Sequence, residues 1–333
     1  MPDSRVSVLP LYVLAAVTLA TVLPGLSFAQ PSIKDYPNKP ITVIIPFAPG
    51  ATDVMSRFYT TEVSRATGWI FTYDYKPGAA GRIGTALAAK AAPDGYSMHG
   101  NSATITYGHL MKTKLSYDWR KDFLPLFQMN RTPSILMVNS AFPVKSVAEY
   151  IAYGKANPGK INYATVGAGG IVHIIAEFMH SQMGVKVTYI PYKGFGATVS
   201  GLLSGEVQAT HASYLTHQAN IVAGKIRPLA LTARNSRLRQ LPELKSLAEE
   251  GIPEFEHVLW LGLFLPTGVP AAIVNRLSVE FNKASKSEEI AKKLDAIGEM
   301  VGGGSPEEFR QFLLIASERL TKVIQDNNIE LED

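Results

Sequence analysis

The chain contains no cysteine. Disulfides, thiolate metal sites, cysteine nucleophiles and lipid-modified cysteine anchors are therefore excluded. Charge is scarce as well: Asp, Glu, Lys and Arg make up 18% of the residues, against a usual ~25%. Hydrophobic residues reach 46%, and 27 Gly and 21 Pro are spread through the sequence, which excludes a disordered, collagen-like or coiled-coil protein. The excess of base is small, a net charge of +4, compatible with nucleic acid, an anionic surface or small anionic ligands. A length of 333 residues suggests about two domains at roughly 100–200 residues each.

Long hydrophobic runs are missing too, except at the start. Residues 6–33 carry no charge, and the apolar stretch Val6–Val22 is followed by Pro24-Gly25 and then by Ser27-Phe28-Ala29. This is the layout of a secretory signal peptide cleaved after Ala29. An uncleaved anchor is the alternative, since about 20 apolar residues can span a bilayer. Pro10 within the run and the prompt small-x-small site favour cleavage. Farther on, the longest apolar candidate, Val258–Leu265, is only strand-sized, so the mature chain is expected to be soluble and exported.

What is present is alternation. Ile41–Pro46 reads as a buried strand, and Thr52 or Asp53 as the cap of a helix reaching about Thr67. Strands are expected at residues 70–75, 96–101, 123–130, 135–139, 161–166, 185–190, 206–212, 226–233 and 257–265, most of them separated by helical patterns. Ser146-x-x-Glu149 is a capping box, and Ser305-Pro306-Glu307-Glu308 opens a last helix running to about Asp326. Strand–helix alternation over this length predicts α/β architecture with mostly parallel sheets flanked by helices. The absence of a low-complexity linker favours two interwoven domains over two in series.

Four strand-to-helix loops carry Gly, Ser, Thr or Asn: residues 47–53 (FAPGATD), 101–104 (NSAT), 165–170 (TVGAGG) and 192–196 (YKGFG). Open α/β sheets bind ligands at the carboxyl ends of strands, where helix N-termini present unpaired N–H groups and partial positive charge. Glycines there let a ligand approach the backbone, so such loops can cradle a carboxylate or phosphate; equally, they can be plain tight turns. Enzyme motifs fail in turn. Gly167-Ala168-Gly169-Gly170-Ile171-Val172 lacks the third glycine of a dinucleotide loop, Gly159-Lys160-Ile161 and Gly224-Lys225-Ile226 lack the hydroxyl residue of a P-loop, and there is no G-x-S-x-G. His173, Glu177 and His180 share a helix face but make no H-E-x-x-H. They are expected to be structural, and neither a metal nor a cofactor is expected. The run Arg234–Arg239 has no interleaved aromatics and reads as a solvated loop, so no nucleic-acid partner is expected.

Several segments together resemble one family. They include Tyr36-Pro37-Asn38-Lys39-Pro40-Ile41, Pro46-Phe47-Ala48-Pro49-Gly50-x-Thr52-Asp53-x-x-x-Arg57, Lys76-Pro77-Gly78-Ala79-Ala80-Gly81-x-Ile83-Gly84 and Ala92-Pro93-Asp94-Gly95-Tyr96. Asn157-Pro158-Gly159-Lys160-Ile161-Asn162-Tyr163-Ala164, Pro191-Tyr192-Lys193-Gly194, Gly224-Lys225-Ile226-Arg227-Pro228 and Gly303-Gly304-Ser305-Pro306 continue in order. The chain is similar to Bug-type solute-binding receptors, the extracytoplasmic components of tripartite tricarboxylate transporters. The resemblance implies a two-lobed, type II-like periplasmic-binding-protein fold. Lobe 1 would be residues 30–131 with 255–333 and lobe 2 residues 132–254, closing on a dicarboxylate, tricarboxylate or aromatic acid. It implies ligand contacts at Phe47, Gly50, Thr52, Asp53 and Ser102 in one lobe, and at Thr165, Gly167, Ala168, Gly169 and His173 in the other. It further implies a periplasmic monomer, no catalysis, and membrane transporter subunits as partners. Three positions depart from the family pattern: only Ala51 separates Gly50 from Thr52, Tyr75 stands where asparagine is usual, and Gly201 where aspartate is common. A ligand-sensing receptor for a signalling partner, or an α/β enzyme acting on a carboxylate, are the rival readings. His173 with Asp53 is the one pair an enzyme could use.

Overall fold

The computed structural model describes residues 35–107, 115–166, 171–192, 195–234, 236–253 and 255–326. The expected leader, the glycines at 167–170 and Lys193-Gly194 lie outside the described residues. The chain divides into two compact units, residues 1–36 and 37–333; all elements below belong to the second.

Strand β1 (Ile41–Ile45) is five consecutive β-branched residues, ITVII, a composition that suits a pleated, packed strand. Its Ile41, Val43 and Ile45 point inward and are fully buried. With β2 (Phe71–Tyr75), β3 (Ser97–Ser102), β4 (Phe123–Pro133) and β10 (Val258–Pro266) it forms a first sheet in the order β2-β1-β3-β10-β4. The second sheet contains β5 (Ile135–Asn139), β6 (Asn162–Val166), β7 (Thr188–Tyr192), β8 (Ala209–Ala212) and β9 (Ile226–Leu231). Its order is β7-β6-β8-β5-β9.

The α/β expectation is met, with sheets that are mixed. β1 pairs parallel with β2 and β3, and β6 with β7 and β8, whereas β10 and β5 run antiparallel to both of their neighbours. Each reversed strand is the one through which the chain enters a sheet directly from the other. No helix intervenes to turn it round, so it inserts in the opposite sense. The two crossings, at Ser134 and over residues 232–257, are fastened by Thr232. Its N–H donates to Ser134 O (2.9 Å), its Oγ1 accepts from Ser134 N (2.8 Å), and His257 N donates to its carbonyl (2.9 Å).

Helices α1 (Ala51–Thr67), α2 (Arg82–Ala89), α3 (Thr104–Tyr107) and α4 (Trp119–Asp122) accompany the first sheet in sequence; α5 (Val147–Ala156), α6 (Ile171–Met183), α7 (Phe195–Ser204) and α8 (Tyr214–Val222) accompany the second. After β10 come α9 (Ala271–Ser285), α10 (Glu288–Ala296) and α11 (Pro306–Asp326). The capping box of α11 forms as expected: Glu308 N donates to Ser305 Oγ (3.2 Å) and Ser305 N to Glu308 Oε2 (2.7 Å).

This last helix belongs to two cores. Phe309 and Leu313 pack with Trp260 and Phe264 of β10, and Gly262 leaves the room that the Phe309 ring fills, since an added Cβ would collide with it. Two to four turns farther along, Leu320, Val323 and Ile324 join the core of the second sheet, with Leu136, Tyr150, Tyr163 and Met179. Among the described residues no helix is long and apolar enough to cross a membrane.

Candidate functional site

The carboxyl end of β1 opens into residues 46–50, and α1 begins at Ala51. Thr52 and Asp53 do not cap this helix. The N-cap is Gly50, which has no side chain to offer, and the first helical bond runs from Val54 N to Gly50 O (2.9 Å). The N–H groups of the first turn are thus left without an intrahelical acceptor. A Cβ on Gly50 would meet nothing nearer than Ala48 O at 3.7 Å, so packing does not require glycine there.

Thr52 and Asp53 lie in the first turn, buried. Thr52 rests on β3: a Cβ on Gly100 would be 3.3 Å from its Cγ2. Asp53 Oδ1 accepts from Arg57 Nε (2.8 Å) and from the Tyr75 hydroxyl (2.6 Å), while Arg57 Nη2 donates to that same hydroxyl (2.8 Å). Arg57 also lies 3.8 Å over the ring of Tyr73, and its pKa is raised, chiefly by the bond to Tyr75. Tyr75, one of the departures from the family pattern, therefore closes a three-membered polar ring around Asp53.

Phe47 is held from behind. A Cβ on Gly81, which has φ +92°, would lie 2.8 Å from Phe47 Cε1, and one on Gly84 would lie 2.7 Å from Pro46 Cα and Lys76 O. The glycines of residues 76–84 thus serve to let this segment press against the loop after β1. Nothing in the spacing of these glycines pointed to that role.

Ser102 ends β3, beside β1 in the sheet. Its placement depends on Asn101, a fully buried side chain that sequence reading placed in the loop 101–104 without singling it out. Asn101 Oδ1 accepts from Ser102 N (2.7 Å) and Thr104 Oγ1 (2.9 Å), and its Nδ2 reaches Thr85 Oγ1 (3.0 Å) and His99 Nε2 (2.9 Å). His99 Nδ1 faces Ile44 O (3.1 Å), so the imidazole donates there and accepts from Asn101. Desolvation pushes its pKa down to about 4, which keeps that neutral tautomer.

On the second sheet, Thr165 is the fourth residue of β6 and is wholly buried. Among the described residues its Oγ1 has no hydrogen-bond partner, an uncommon state for a buried hydroxyl and one that calls for a cause. Gly167, Ala168 and Gly169 follow outside the described residues, and α6 starts at Ile171. His173, in its first turn, has its ring 4.7 Å from that of Tyr189 and its Nε2 3.4 Å from Glu177 Oε1. His180 points away into the core. It meets the Tyr150 hydroxyl at Nε2 (2.9 Å), and Ala176 O (2.8 Å) and the Tyr189 hydroxyl (3.0 Å) at Nδ1. Desolvation, with a smaller push from His211, lowers its pKa to about 3. His173, Glu177 and His180 therefore do not converge, and among the described residues no group of three His, Asp or Glu could hold a metal. Gly201 has its own reason: a Cβ there would collide with the hydroxyl of Tyr192.

Phe47, Gly50, Thr52, Asp53 and Ser102 thus gather at one end of the first sheet, and Thr165 and His173 at the corresponding end of the second. The ends approach one another, because Ala103, next to Ser102, and Ile171, the first residue of α6, line the same cavity. Asp53 and His173 are each engaged with other partners, and no bond between them is seen.

Residues 55–329 match the family described as TctC, Tripartite tricarboxylate transporter family receptor. Among solved structures, Rpa4515 of R. palustris with adipate superposes with a TM-score of 0.77 at 31% identity, covering 90% of this chain and 100% of that one. The periplasmic binding protein BugD superposes with a TM-score of 0.73 at 26% identity, covering 89% and 100%. MatC from Rhodopseudomonas palustris with bound malate gives 0.70 at 26%, covering 87% and 100%. The architecture is that of the two-lobed periplasmic binding proteins.

Proposed function

This chain belongs to the tripartite tricarboxylate transporter receptor family, and from that premise we propose that it captures a small carboxylate by closing two lobes on it. The lobes are residues 30–131 with 255–333, and 132–254. A division of this kind is supported by the strands, since the chain leaves the first sheet after β4, two residues beyond the 131 boundary, and returns to it at β10. One ligand carboxylate rests on the uncapped first turn of α1, reached over Gly50. The same ligand meets the N-terminus of α6 and the loop before it. Helix N-termini favour anions through their free N–H groups and dipole.

The observation that carries this reading is the Thr165 hydroxyl, buried, unpartnered and placed just before α6. A ligand oxygen supplies the bond it lacks. Adipate and malate in the structural neighbours indicate the chemical class, a dicarboxylate. The closed, loaded form is what membrane subunits would recognise. The protein acts as a monomer in the periplasm after removal of residues 1–29, and it binds its ligand without transforming it.

Calorimetric titration with adipate, malate, citrate and benzoate tests this. At least one should bind, and Thr165→Val should weaken it about tenfold, the equivalent of one hydrogen bond. A folded protein that binds none of them sinks the proposal, and turnover of a bound acid would return the enzyme reading.

A further inference from the structure

A cavity of about 600 Å³ runs along one face of α11, from Ser305 to Val323, within the range of small-molecule sites. It passes both the part of the helix anchored in the first core, Phe309 and Leu313, and the part anchored in the second, Leu320, Val323 and Ile324. Its apolar lining includes Ile175 and Phe178 of α6, Trp260 of β10 and Phe312 of α11. Ile315 of α11 faces it while 57% exposed, a large apolar side chain with water for a neighbour.

One region of this lining is cationic. Arg131 Nη2 and Arg319 Nη1 share a single carboxylate, Glu256, at 3.9 and 3.2 Å. Both arginine side chains remain partly exposed, at 50% and 40%, and the Arg131 guanidinium lies 5.1 Å over the Phe312 ring. Two full positive charges against one negative leave an excess of one. His257 beside them adds none at neutral pH, because desolvation, then His211 and Arg319, push its pKa down to about 3. Of the other acids of the lining, Glu307 is paired with Arg310, and Glu308 keeps its charge but stands at the far end of the cavity, three turns of α11 before Arg319, where it accepts from Ser305 N.

We propose that this cavity is a second binding site, for an amphipathic monocarboxylate. The apolar body of the ligand lies between Phe178, Trp260, Phe312 and Ile315, and its carboxylate is held by Arg131 and Arg319. An apolar lining with a few convergent polar groups is the usual make-up of such sites, and a surplus guanidinium is a geometric match for a carboxylate. The site is separate from the cradle at α1 and α6, although Ala103 and Ile171 bring its edge close to it. Because its walls come from β4 and β10 of the first sheet and from α6, which packs with the second, a ligand there senses their relative position.

Decanoate is the probe, titrated calorimetrically into the whole exported protein. Saturable binding is expected. Ala316→Trp, which fills the cavity with an indole, should weaken it at least about tenfold, and Arg319→Gln about fivefold through loss of the charge-assisted contact. Adipate affinity should stay within about twofold in Ala316→Trp, since that residue is not part of the cradle. Absence of decanoate binding overturns the proposal. So does binding that Ala316→Trp leaves unchanged, or decanoate that adipate displaces competitively, which would place it in the cradle.

Discussion

The two halves of the candidate site are built on the same strand order but finished differently. At the end of the first sheet three buried or half-buried polar side chains are satisfied within the protein: Asp53 by Arg57 and Tyr75, Asn101 by four partners, His99 by two. At the end of the second sheet Thr165 keeps a buried hydroxyl with no partner, in front of a core of histidines and tyrosines. The first half is pre-organised; the second is left one bond short. A receptor needs both kinds of surface, because a rigid platform orients the ligand and an unsatisfied partner gives closure something to gain.

Acid should break the comparison most strongly. Among the described residues the second sheet and its helices hold three buried histidines, His180, His211 and His217, with pKa values lowered to about 3, 4 and 4 mainly by desolvation. The core behind the first half holds His99. The unfolded chain binds protons near pH 6.5, whereas these sites resist them, so their contribution is full above pH 6.5 and is lost as pH falls towards 3–4. Each group forfeits about 1.4 kcal/mol per pH unit in that window. Hydrogen exchange between pH 7 and pH 5 should therefore show the second sheet loosening before the first, and equal protection losses in both would contradict the asymmetry.

Asn101→Ala comes next. It orphans several buried groups at once and should cost about 3 kcal/mol, measured by chemical denaturation, with ligand affinity falling too because Ser102 and Thr104 lose their fixed positions. Thr165→Val should do the opposite on the other half. Stability should stay within about 1 kcal/mol of wild type, since no protein bond is lost, while affinity drops. If both variants lose stability equally, the difference between the halves is not real. The smallest effect belongs to Tyr75→Phe. Removing a hydroxyl from a partly exposed ring of polar groups should cost under about 1 kcal/mol, visible as a slight fall in the urea midpoint.

Much of this was legible in the residues, and the failures have local causes. The β-branched run of β1 and the Ser305–Glu308 cap announce themselves through side-chain chemistry that acts within a few residues. β7 starts at Thr188, three residues later than the apolar pattern suggests, because Val185 is used to close α6. Its N–H returns to His180 O (3.0 Å) past Gly184 at φ +64°, and its side chain packs against Gly154. An apolar residue after a helix therefore reads as strand when it is a cap. The reversed sense of β5 and β10 is not encoded in either strand's composition; it follows from where the chain comes from. Tyr75 on Asp53 and the glycines behind Phe47 depend on contacts 20 to 40 residues apart in sequence, which no local pattern contains. The loops of the candidate site are visible in the sequence because strand-to-helix turns are local; the partners that hold them are not.

The threading of the strands also sets an order of assembly. All five strands of the second sheet lie in one continuous stretch, residues 135–231, so that sheet can form as soon as its own chain is available. The first sheet cannot: β10 separates β3 from β4 and is β4's one strand neighbour, and it lies in the last quarter of the sequence. Until it arrives, β3 and β4 present open edges of the kind that pair with other chains. A chain cut short before Val258 would hold all five strands of the second sheet, without the Leu320, Val323 and Ile324 that α11 adds to its core, and an unfinished, aggregation-prone first sheet, so the more fully bonded half of the candidate site is the last to be built.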